Sequence, residues 1–146
     1  MVSEFPSLPM AAEKLIPQRP PMGAVDRLSE YHGCQGVVEA HIDRDSLFLR
    51  DDGSVEPMAL VEIVAQSFAA VKGYENLVQG KSVGKGYLTE VKRFEFYGAI
   101  RGGDELSVVI NKFGETDEFT LAEGKIICRG EVMASGNLMV WVPKEG

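Results

Sequence analysis

One stretch, SVEPMALVEIVAQSFAAVKG at residues 54–73, constrains the fold more than any other. As a helix it is apolar on nearly every side, yet it carries one carboxylate, Glu62, and one amide, Gln66, four residues apart. A helix that is apolar all round must be wrapped by other elements. An ionised carboxylate within it must be paired, solvated by a channel or protonated. Proline fits a first helical turn and glycine a helix end, so the sequence predicts a start between Ser54 and Pro57 and a stop near Gly73. That gives a helix of about 16 residues, roughly 24 Å at 1.5 Å per residue. Glu62 is expected to be mostly shielded from bulk water.

The wrapping has to come from the rest of the chain, which reads as strands. GCQGVVEAHI, before the helix, is one. After it, apolar residues alternate with period two. Lys92, Phe94 and Phe96 share one face of GYLTEVKRFEFYGAI; Leu106, Val108 and Ile110 share one face of ELSVVINKFG. In EVMASGNLMVWV the set is Val132, Ala134, Gly136, Leu138, Val140 and Val142. Arg129 and Gly130 in CRGE offer a two-residue hairpin turn, and FGETDE is a longer connection between strands. An antiparallel meander of three or four strands needs something on its apolar face, and the helix needs a cover. The expectation is an α+β domain in which a curled antiparallel sheet wraps one long central helix. Residues 1–14 are expected to be loosely structured, with one helical turn at MAAEKL before the prolines of IPQRPP break it.

Composition narrows the function classes. At 146 residues and 45% apolar, the chain can bury a core as one domain without disulfide or metal staples. Cys34 and Cys128 form neither a close pair nor a metal-ligand spacing and read as free thiols in a reducing compartment. MVSEFPSLPM lacks the basic start and apolar run of a secretory signal. Glu62 and Gln66 interrupt the best candidate for a membrane span. A soluble, cytoplasmic domain is expected. A net charge of −7 argues against nucleic acid or anionic lipid as the main partner. One strip, GKSVGKGYLTEVKR, holds Lys81, Lys85, Lys92 and Arg93 against the single acid Glu90, and such a strip suits an acidic partner.

The order of elements and three motifs resemble the hot-dog fold, in particular bacterial 3-hydroxyacyl-acyl-carrier-protein dehydratases. IPQRPPMGAVDRL resembles that family's opening motif, in which a Pro-His-Arg run precedes an apolar stretch and Val-Asp-Arg. VEIVAQSFAA resembles its central helix with Glu-x-x-Ala-Gln before small residues. GYLTEVKRFEFYGAIRGGDEL resembles the strand and Gly-Asp turn that follow. The likeness runs from about Leu15 to Trp141. It implies a single hot-dog domain, a homodimer or higher oligomer with sites completed across subunits, and a substrate carried on phosphopantetheine with no resident cofactor or metal. An acyl carrier protein or acyl-CoA is then the partner, and pairing with a different hot-dog chain is an option.

The sequence also departs from that family. The family's catalytic histidine lies in a Gly-His-Phe-Pro segment just before the central helix, where this chain has LFLRDDGSVEP. The histidine of the opening motif is replaced by Gln18. His32 falls in a turn, and His41 faces away from the side of Val38, Ala40 and Ile42; both read as ordinary exposed or capped side chains. The carboxylate half of the family's dyad is kept and the imidazole half is lost.

Glu62 can still do chemistry. Gln66 lies one turn on and can hydrogen-bond it, and Ala69 and Ala70 leave room for a narrow apolar tunnel. A carboxyl in a dry tunnel suits a general acid or base near neutral pH. In the family the carboxyl protonates the leaving 3-hydroxyl while histidine removes the C2 proton. Amides near the start of the central helix polarise the thioester carbonyl there, and Pro57, Met58, Ala59 and Leu60 lie at that place in this chain as the expected substrate-binding residues. Asp51 or Asp52 is the nearest candidate in sequence for the missing base. A carboxylate activating water to hydrolyse a thioester needs no histidine. Three functions follow in order: a dehydratase-like protein of fatty-acid or polyketide-type metabolism with altered catalysis, a thioesterase using Glu62, and a non-catalytic acyl-binding subunit paired with an active homologue.

Overall fold

The computed structural model describes residues 7–15, 25–80 and 87–141. The described residues form seven strands and one long helix: β1 (Met10–Ala11), β2 (Val25–His32), β3 (Gln35–His41), α1 (Pro57–Val78), β4 (Tyr87–Phe96), β5 (Glu105–Glu115), β6 (Phe119–Cys128) and β7 (Glu131–Trp141). All pair antiparallel in one sheet of order β1-β2-β3-β5-β6-β7-β4. The helical turn expected in MAAEKL is a short 3-10 turn, Ala12–Lys14, between β1 and the following segment.

The period-two pattern places the core. Leu106, Val108 and Ile110 of β5, Ala122 and Ile126 of β6, and Ala134, Leu138 and Val140 of β7 all point to one face and are buried. Against that face lie Leu60, Ile63, Val64, Phe68, Ala70, Val71 and Tyr74 of α1. The helix touches β2, β3, β4, β5 and β6. This is the hot-dog arrangement, one long helix laid along a curled antiparallel sheet.

Three sequence expectations need correction. First, α1 runs for 22 residues, about 33 Å, and passes straight through Gly73. A side chain there would meet backbone: an added Cβ would lie 2.3 Å from the carbonyl oxygen of Leu15. Gly73 is therefore a point of close approach between the helix and the chain after the 3-10 turn. The helix stops at Gln79, and Gly80, with φ +74°, takes the left-handed position that ends it. Second, β4 does not sit beside β5. It crosses to the far edge and pairs with β7, so the meander holds only for β5, β6 and β7.

Third, bulges break two of the period-two sets. Arg93, at φ +55°, inserts an extra residue between the pairs Lys92↔Asn137 and Glu95↔Ser135. Phe94 and Phe96 stay together, with ring centroids 5.2 Å apart, while Lys92 is turned to the opposite face with Glu95. A second bulge at Met133 buries that side chain and leaves Val132 40% exposed. Strand β2, not expected from the sequence, forms a hairpin with β3 through Gly33 and Cys34. The Arg129–Gly130 turn forms as expected, with φ +52° and +77°, the positive pair that a two-residue hairpin demands.

Candidate functional site

The sheet covers α1 on most sides and leaves one stripe open. Met58, Glu62, Ala65 and Ala69 recur at spacings of four, three and four, the helical repeat, and all are exposed or half-buried. Glu62, expected to be shielded, is exposed in the single chain. The apolar helix hid this in the sequence, because a stripe of alanine and methionine is as apolar as the core stripe beside it.

Gln66 is the opposite case. It is 1% exposed, and its Nε2 donates to Glu62 Oε1 at 3.1 Å. The helix thus brings together an open carboxylate and a buried amide that fixes one of its oxygens. Ala69 continues the open stripe, whereas Ala70 is fully buried against the sheet. At the amino end, Pro57 occupies the first helical position and has no N–H. The Ala59 amide already donates to Glu56 O at 2.9 Å, whereas no backbone carbonyl among the described residues takes the Met58 amide. Met58 itself is 68% exposed, and Ala59 and Leu60 are buried. The dipole of α1 favours negative charge at this end.

The loop before α1 holds Asp51 and Asp52, both exposed. Asp52 caps its own turn: its Oδ1 accepts the Ser54 hydroxyl at 2.5 Å and the Ser54 amide at 2.9 Å. The Ser54 hydroxyl first, then the Ser54 amide and the charges of Arg50 and Arg101, hold Asp52 below the ordinary carboxylate range. Among the described residues no hydrogen bond or ion pair joins either aspartate to Glu62. Arg101 Nη1 donates to Asp52 O at 2.8 Å, which pins the loop to the β4–β5 connection.

Of the basic strip, Lys81 and Lys85 lie outside the described residues. Lys92 pairs with Glu90 at 3.2 Å, and Arg93 occupies the bulge. Among the described residues no hydrogen bond or ion pair joins either histidine to α1: His32 lies 3.9 Å from Glu30, and His41 bonds Asp26 and Asp43. Cys34 is exposed and Cys128 buried, both as free thiols. Among the described residues no helix is long and apolar enough to cross a membrane.

One polar cluster was missed altogether. Glu75, 6% exposed, accepts the Tyr31 hydroxyl and the Lys112 ammonium on Oε2, both at 2.6 Å. Lys112 and Lys72 also reach Glu115 at 3.2 Å each. The signal in the sequence is the charge in YENLV just past Gly73, which a helix ending at Gly73 would leave outside the core.

Comparisons place this geometry. A comparison with curated protein sequences finds no match. Among solved structures, the dehydratase heterocomplex ApeI:P from Xenorhabdus doucetiae matches with a TM-score of 0.85 at 22% identity, over 96% of this chain and 94% of that one. A hypothetical thioesterase protein with coenzyme A from Streptococcus pneumoniae TIGR4 matches with a TM-score of 0.64 at 12% identity, over 81% and 85%. The PaaI protein from the phenylacetic acid degradation operon of E. coli matches with a TM-score of 0.64 at 12% identity, over 78% and 80%. At these identities the likeness is one of fold. The sequence itself carries the family, because the model of the ApeP-like family, described as ApeP dehydratase, matches residues 10–146. With nearly the whole length matched and the hot-dog architecture in place, the chain belongs to the ApeP-like family of dehydratase-like hot-dog proteins.

Proposed function

We propose that this protein binds a 3-hydroxyacyl thioester on a phosphopantetheine arm along the open stripe of α1, with the Glu62 carboxyl as its working acid or base. The observation that carries this reading is the Gln66–Glu62 hydrogen bond, a buried amide holding an open carboxylate on an otherwise apolar stripe. The carboxyl protonates the leaving 3-hydroxyl, Gln66 fixes which oxygen faces the substrate, and the first turn of α1 supplies amide donors to the thioester carbonyl. Lys92 and Arg93, with Lys81 and Lys85 of the same stretch of sequence, receive an acidic carrier protein; Asp51, in the segment where the family's histidine falls, is the candidate base; and the protein works in the cytoplasm as a dimer or larger assembly.

A second reading is favoured by a specific feature. The working face of α1 is open in the single chain, and β4 is paired on one side only among the described residues. A second hot-dog chain covers both, and the resemblance to a heterocomplex supports a different chain as that partner. In this reading the partner supplies the base that the chain lacks, and the protein alone turns over little. The thioesterase reading stands third. One experiment separates the three: the purified protein, alone and with any hot-dog chain that co-purifies, is assayed on 3-hydroxyacyl and acyl thioesters of carrier protein and coenzyme A. Dehydration by the protein alone supports the first, dehydration only with the partner the second, and thiol release the third. Absence of all three activities together with absence of thioester binding overturns the proposal.

A further inference from the structure

The loop that feeds α1 is tied to the sheet at its start by one side chain whose two nitrogens are both occupied. His41, the last residue of β3, places Nδ1 at 2.8 and 2.9 Å from the two carboxylate oxygens of Asp26 on β2. Its Nε2 lies 2.9 Å from Oδ1 of Asp43, two residues on, where the loop begins. A carboxylate only accepts, so each contact needs an N–H on the imidazole. A neutral imidazole has one N–H and the imidazolium has two. The observed geometry is therefore that of the charged ring. We infer that His41 is a proton-dependent latch that fastens the 43–56 loop to the sheet.

The surroundings agree with a cationic ring. His41 lies in a cleft of about 450 Å³ lined also by Asp26, Arg27, Glu39, Glu105 and Arg129. Glu105 is its direct partner across the β3–β5 ladder. The two cations near it are already engaged, Arg27 by Glu39 and Arg129 by Asp104 at 2.8 Å. Two carboxylates bonded to the ring, with Glu105 opposite, hold the proton on. The Asp26 bond is the largest influence; burial, next in size, opposes it, and the charge of Asp26 with the bond and charge of Asp43 leave the pKa of His41 raised above its ordinary value.

Loss of the proton breaks one tie. The N–H that remains stays with Asp26, which meets Nδ1 with both oxygens, and Nε2 then turns a lone pair towards the Asp43 carboxylate. The loop keeps its backbone bonds from Ile42 to Asp104 and from Ser46 to Asp43, so the change is a local loosening of its first turn. Its far end hands the chain to the first turn of α1 through the bond from Glu56 N to Phe48 O at 2.8 Å. A consequence for the thioester end of the site rests on the function proposed above; the latch itself does not.

Two-dimensional NMR of the full chain tests the latch without any substrate. Across a pH titration, the His41 ring is expected to titrate above the ordinary imidazole midpoint, and the amides of Asp43 to Leu49 to move with that same midpoint. Asp43→Asn is expected to lower the midpoint, and His41→Asn to remove the amide step. Loop amides that stay flat while the ring titrates, or a midpoint that Asp43→Asn leaves in place, overturn the latch. The wild-type titration alone decides the first point even where a variant fails to fold.

Discussion

Gln66 and Glu62 are joined by one hydrogen bond of 3.1 Å across the boundary between core and surface, the amide 1% exposed and the carboxylate open. This separates two consequences of changing Glu62. An exposed side chain contributes little to stability, so Glu62→Gln should shift unfolding by no more than about 0.5 kcal/mol. Turnover on a thioester should fall by about 10²–10⁴-fold, the usual contribution of a positioned acid or base. Thermal unfolding and a turnover assay on the same preparation check both halves. Equal turnover in the variant removes Glu62 from the chemistry.

The contrast between these two residues shows what the sequence could say. The spacing of Glu62 and Gln66 revealed their pairing, because four residues along a helix returns to one face. It did not reveal which face lay open, because Met58, Ala65 and Ala69 are as apolar as the residues that meet the sheet. The periodicity of β5 was legible for the same reason that its burial is regular: Leu106, Val108 and Ile110 meet no bulge. On β4 and β7 the pattern failed at Arg93 and Met133, where one inserted residue reverses the face of what precedes it. Gly73 misled because glycine ends helices and also permits close approach, and only the Leu15 backbone against it distinguishes the two.

That close approach is itself testable. In an open helix interior, Gly→Ala gains about 0.8–1 kcal/mol of helix propensity. At Gly73 the new methyl would meet the Leu15 carbonyl oxygen at 2.3 Å, and backbone does not step aside as a side-chain tip does. Gly73→Ala should therefore destabilise, by about 1–3 kcal/mol as overpacking does. Thermal or urea unfolding measures it. A variant with a raised Tm would show that the chain at Leu15 does not press on the helix.

Asp104 fastens three segments at one end of the central strands. Its Oδ2 accepts the Arg101 amide at 2.9 Å, its Oδ1 the Arg129 guanidinium at 2.8 Å, and its carbonyl the Ile42 amide at 2.9 Å. Burial alone would raise its pKa, but the bonds from Arg101 and Arg129 outweigh that and leave it lowered. A lowered folded value means a contribution fully present above the ordinary carboxylate pKa, about 3.9, and lost as pH falls through the folded value. Arg129 is mostly exposed, so its share is screened and the backbone bond dominates. Asp104→Ala should cost about 1.5–3 kcal/mol at neutral pH. The difference from wild type should shrink in acid, and urea melts at about pH 7 and about pH 3, on either side of that carboxylate value, should show it. A cost that is the same at both pH values would place the role of Asp104 in shape and not in charge.

The buried network at the far end of α1 makes the strongest stability prediction. Glu75 and Lys112 side chains are 7% and 14% exposed, and Lys112 Nζ meets Glu75 Oε2 at 2.6 Å. The other oxygen, Oε1, has no hydrogen-bond partner among the described residues, and the ammonium of Lys72 stands 3.7 Å from it. Lys112→Met keeps the aliphatic stem and removes the charge, leaving the carboxylate with the Tyr31 hydroxyl and the Lys72 ammonium, which is paired to it at 3.7 Å but not hydrogen-bonded. Breaking one side of a buried pair costs about 3–5 kcal/mol, far more than an exposed pair is worth. Replacing both partners removes the stranded charge, so Glu75→Gln with Lys112→Met should recover much of that loss. The sign with pH follows from Lys112, whose pKa is raised: burial would lower it, and the bonds to Glu75 and then Glu115 more than reverse this. A raised folded value gives stability that is fully present below the ordinary lysine pKa of about 10.4 and fades as pH rises through the folded value. Urea unfolding of wild type, both single variants and the double variant measures the coupling directly. Single and double costs that simply add would mean that the two side chains are neighbours without being partners, and the network would be no more than packing.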